Sequence, residues 1–61
     1  MSEKEAIQQA YEAKVAELWK TMFTSYTIAS GNTSEQSKAD VAFKSGLVIA
    51  RQVRDKAQSL V

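Results

Sequence analysis

Apolar side chains recur at helical spacing in two blocks of similar length, divided by one polar turn, Ser30-Gly31-Asn32-Thr33-Ser34. In the first block Ile7, Tyr11, Val15, Leu18, Met22, Tyr26 and Ala29 follow steps of 4-4-3-4-4-3. That is an eleven-residue repeat of about 3.67 residues per turn, close to an undistorted helix. In the second block Ala39, Phe43, Gly46, Ala50, Val53, Ala57 and Leu60 alternate steps of four and three, a heptad seam flanked by Ala42 and Ile49. The pattern predicts an all-α chain: one domain over residues 1–61, an antiparallel two-helix hairpin with a helix at about 3–29, a turn at 30–34 and a helix at about 35–60. The first stripe is bulky and the second mostly small, so the two helices can approach closely and interdigitate.

Local signals agree with these boundaries. Ser2 and Glu5 have the spacing of a capping box, and Thr33 with Gln36 offers a second. Gly31 tolerates the left-handed conformation that ends helices. Proline is absent. One segment, Thr21 to Ile28, is rich in β-branched and aromatic residues that favour strand. Strict alternation fails where Met22 adjoins Phe23, and the helical period runs through it, so the segment reads as helix held by packing.

The first helix carries more apolar surface than one neighbour can cover. Trp19, Phe23 and Ala16 lie beside the main stripe and widen its arc to about half the circumference, where a single contact needs little over 100°. A second chain is therefore expected. The simplest form is a twofold homodimer making a four-helix bundle. Trp19 and Phe23, with Ala16, are the expected contact, large aromatics being favoured anchors between proteins. Gly46 and Ala50 would allow close approach, with Trp19 or Met22 filling the space over Gly46. The same surface could instead meet a larger protein target. Val41 and Val48, seven apart on the outer face of the second helix, form a minor second candidate row.

Composition sharpens the need for company. A chain of 61 residues buries little, and small scaffolds compensate with disulfides, metals or self-association. Cysteine and histidine are both absent, so association is the remedy that remains. The same absences, with Glu12 and Glu17 five apart and so about 140° from each other around the helix, predict no catalytic residue, no metal site and no cofactor. Eight basic against seven acidic residues give a net charge of +1. That is too balanced for wholesale attraction to nucleic acid. A basic face of Lys44, Arg51 and Arg54 on the second helix nonetheless offers an alternative, a small nucleic-acid-binding bundle. Asp40 and Asp55 border that face, Arg51 is placed to pair with Asp55 four residues on, and no aromatic is interleaved for stacking. The longest aliphatic run, Leu47-Val48-Ile49-Ala50, is far too short to span a bilayer, and the polar start lacks a secretory signal. The expectation is a cytoplasmic, non-catalytic interaction or regulatory protein with no membrane role.

Overall fold

A computed structural model describes all residues 1–61 as two helices, α1 (Glu3–Ala29) and α2 (Thr33–Ser59), packed side by side as a hairpin. The Cα extents are 44 × 18 × 7 Å, a single layer two helices wide. Of 52 backbone hydrogen bonds, 47 lie within the helices, so the hairpin is held closed by side chains.

At the start of α1 the Ser2 hydroxyl accepts from the Glu5 amide at 3.1 Å, as the capping pattern requires, without a return bond from the Glu5 side chain. The other end departs from expectation. The left-handed turn begins one residue early, at Ser30 (φ 39°), and continues through Gly31 (φ 87°). The cap of α2 is Asn32, not Thr33: its Oδ1 accepts from the Glu35 amide at 3.2 Å. An asparagine is among the strongest caps, and taking that role lets Thr33 enter the helix. The β-rich segment is helical throughout. Its threonines turn inward on the backbone, Thr24 and Thr27 donating to the carbonyls of Lys20 and Phe23 at 3.0 and 2.9 Å. Back-bonding of this kind lets a β-branched hydroxyl residue sit inside a helix.

All seven residues of the α1 stripe are half-buried. On α2 the seam is turned from its expected position. Ala39, Phe43, Gly46, Ala50 and Ala57 are half-buried, whereas Val53 and Leu60 are exposed, and their places are taken by Gln36, Asp40, Leu47 and Arg54. The rotation amounts to about 60° of helix circumference at 3.6 residues per turn. Polar chemistry explains it. The bulky α1 stripe contains two tyrosines, and each finds a partner on the rotated face. Tyr26 donates its hydroxyl proton to Asp40 Oδ1 near the turn. Tyr11 receives the Arg54 guanidinium over its ring, 4.4 Å from the centroid, near the open end. Between these two latches Leu18 covers Gly46: a Cβ built on Gly46 would stand 2.6 Å from Leu18 Cδ2. Leu18, rather than Trp19 or Met22, thus fills the glycine notch. The three cross-pairs set one antiparallel register along the molecule.

No residue is fully buried. Two helices in one layer have an inside edge but no interior, which follows from geometry alone.

Candidate functional site

The hairpin has two broad faces, and at about 100° per residue the side chains divide cleanly between them. On the first, a groove of about 620 Å³ runs between the helices. Ile7, Ala10 and Leu18 of α1 border it, opposite Gly46, Ala50 and Ala57 of α2, with Ile49 and Val53 rising along its rim. Ile49 is 60% exposed, Val53 62% and Leu60 72%, although each is a large aliphatic side chain. Turning the α2 seam toward Asp40 and Arg54 moved this apolar row out of the hairpin.

Trp19 and Phe23 occupy the flank of α1 on the opposite face. Their rings stack with centroids 5.3 Å apart and planes 24° from parallel, an i,i+4 pair on one helix. Trp19 is 52% exposed and Phe23 59%, so α2 does not cover them. Ala16 is exposed on the same flank. The five residues singled out as interface therefore do not form one surface: Trp19, Phe23 and Ala16 belong to one face, Gly46 and Ala50 to the groove on the other.

The basic candidates are split as well. Lys44 and Arg51 are exposed and make no ion pair. Helix geometry puts them on the face that carries Trp19 and Phe23, together with the exposed Val41 and Val48. Arg54 has left that face. It stacks on Tyr11, its side chain only a quarter exposed, and its Nε donates to Asp55 Oδ1 at 3.0 Å. Asp55 thus pairs with Arg54, not with Arg51 as the four-residue spacing suggested. Two free cations beside an aromatic pair remain, a thinner phosphate-binding surface than three in a row.

Tyr26 is the one titrating group with a clear shift. Its pKa is raised above the ordinary tyrosine value of 10.0 by the hydrogen bond it donates to Asp40, then by partial desolvation, then by the carboxylate's charge. The pair serves the register of the hairpin; no third polar group converges on it to suggest chemistry. No group of three His, Cys, Asp or Glu side chains gathers as a metal site would require, and no helix is long and apolar enough to cross a membrane.

The aliphatic row of α2 was not singled out from the sequence as a surface. A signal for it existed: Gln36, Asp40, Phe43, Leu47, Ala50, Arg54 and Ala57 form a second four-three seam sharing three residues with the more apolar one. Choosing between them required knowing that two tyrosines stand opposite. No family model, curated protein or solved structure matches the chain.

Proposed function

We propose that this chain is a small non-catalytic interaction or regulatory protein that self-associates as a homodimeric four-helix bundle and offers a helical surface to a larger protein. The observation that carries the reading is the absence of any buried residue in a chain rich in large apolar side chains. At about 25 cal/mol per Å² of apolar area, those side chains are a strong drive toward another apolar surface. The Trp19–Phe23 pair, with Lys44 and Arg51 on its face, is the surface assigned to the larger partner. Rigid aromatics supply much contact area at low entropic cost, and the two cations suit an acidic rim.

Molar mass measured by sedimentation across a dilution series tests the self-association. Two chains per particle at micromolar concentration, dissociating reversibly on dilution, is the expected result. A mass of one chain up to millimolar concentration would refute it.

A further inference from the structure

The apolar row of α2 has a symmetry that a helix serving only its own hairpin does not need. Its members are Ala39, Ala42, Gly46, Ile49, Ala50, Val53, Ala57 and Leu60, at steps of 3, 4, 3, 1, 3, 4 and 3. The order of steps reads the same in both directions. Reflection about the point midway between Ile49 and Ala50 therefore maps the row onto itself. Two helices related by a twofold axis meet antiparallel, so each position faces its own reflection.

Side-chain size follows the same rule. Reflection sets Leu60 against Ala39, Val53 against Gly46, Ile49 against Ala50, and Ala57 against Ala42. Within the row no large residue meets another large one. Two of the exposed knobs, Ile49 and Leu60, are matched by alanines that leave room for them; Val53 falls opposite Gly46, where it meets the Leu18 side chain that covers the glycine. The half-buried Gly46, Ala50 and Ala57 line the groove.

We infer that this face binds a second copy of the chain, α2 antiparallel on α2 about a twofold axis crossing the hairpin near Ala50. An axis in that direction also lays α1 antiparallel over the copy's α1, giving two stacked layers of two helices. The area is sufficient: a face of 44 by 18 Å is about 800 Å², what each partner contributes to a standard interface. Trp19 and Phe23 then remain outside the dimer, displayed once on each outer face. This inference rests on the self-association proposed above and specifies its geometry.

Cysteine cross-linking tests it, because the native chain contains no cysteine. The variant Ala42→Cys/Ala57→Cys is expected to oxidise to a covalent two-chain species. Within one helix positions 42 and 57 are about 22 Å apart at 1.5 Å per residue, beyond the reach of a disulfide. Each single variant alone should stay one chain on a non-reducing gel, and mixing the two singles should restore the cross-link. The sole tryptophan gives a second readout: the Trp19 emission maximum should stay fixed while the dimer is diluted apart. A dimer that the double variant fails to trap, or whose Trp19 emission shifts red on dissociation, overturns the geometry and leaves self-association standing. A single-chain mass at every concentration overturns both.

Discussion

The two glycines test different physical constraints. Gly31 has open space around its Cβ position but a φ of 87°, which an L side chain adopts at a cost of about 1–2 kcal/mol. Gly46 is helical and crowded, with Leu18 Cδ2 at 2.6 Å from an added Cβ. There alanine gains about 1 kcal/mol of helix propensity, and a terminal methyl in an open groove can swing aside. Thermal unfolding should show Gly31→Ala clearly destabilised and Gly46→Ala near neutral; a loss at Gly46 as large as that at Gly31 would show that Leu18 cannot give way. Tyr26 makes a second residue-scale prediction. Its raised pKa means the folded chain holds the phenolic proton more tightly than the unfolded chain does. The corresponding stability is fully present below the unfolded value of about 10 and is lost as pH rises through the folded value. Phenolate absorbance should therefore record a late-titrating tyrosine, and Asp40→Asn should bring it back toward its ordinary range. An unchanged titration curve in that variant would separate Tyr26 from Asp40.

Among the elements, both helices were legible from spacing, and α1 turns toward α2 the very stripe its eleven-residue repeat marks out, each member half-buried. Helix α2 was legible as a helix but ambiguous in orientation, because two heptad seams overlap on Phe43, Ala50 and Ala57. Hydropathy prefers Val53 and Leu60 inward. Pairing with Tyr11 and Tyr26 favours Arg54 and Asp40, which sit at the seam's edge with their charged ends satisfied. The turn was misassigned by one residue for a related reason: Asn32 and Thr33 can each cap, and the left-handed Ser30 determines which reaches the free amide. Truncation distinguishes them. Asn32→Ala should cost about 1 kcal/mol and lower the melting temperature, while Thr33→Ala should be nearly silent, as urea unfolding can measure. A larger effect at Thr33 would return the cap to it.

For the whole molecule, the layer geometry dominates. A hairpin of this thickness has no place to hide a large side chain, so apolar surplus on either helix becomes surface. Association driven by that surplus should be insensitive to salt, whereas phosphate binding weakens steeply. The dimer mass is expected to hold from about 50 mM to 1 M salt, and a labelled single-stranded oligonucleotide should show no saturable binding at about 150 mM. Tight binding there, abolished by Lys44→Glu/Arg51→Glu, would instead make the outer face a nucleic-acid surface. Loss of Arg54 to Tyr11 is the structural reason for expecting the former result.

Periodicity and turn chemistry alone determine that this chain is two helices joined by a short left-handed turn, since both depend on residues a few positions apart. Surplus apolar surface is likewise visible in the sequence, because it can be counted around each helix separately. Which way α2 turns, and therefore which apolar row faces outward, was decided only by tertiary structure. That choice depends on partners across the seam, where a tyrosine hydroxyl and a tyrosine ring make two charged residues better neighbours than two aliphatic ones.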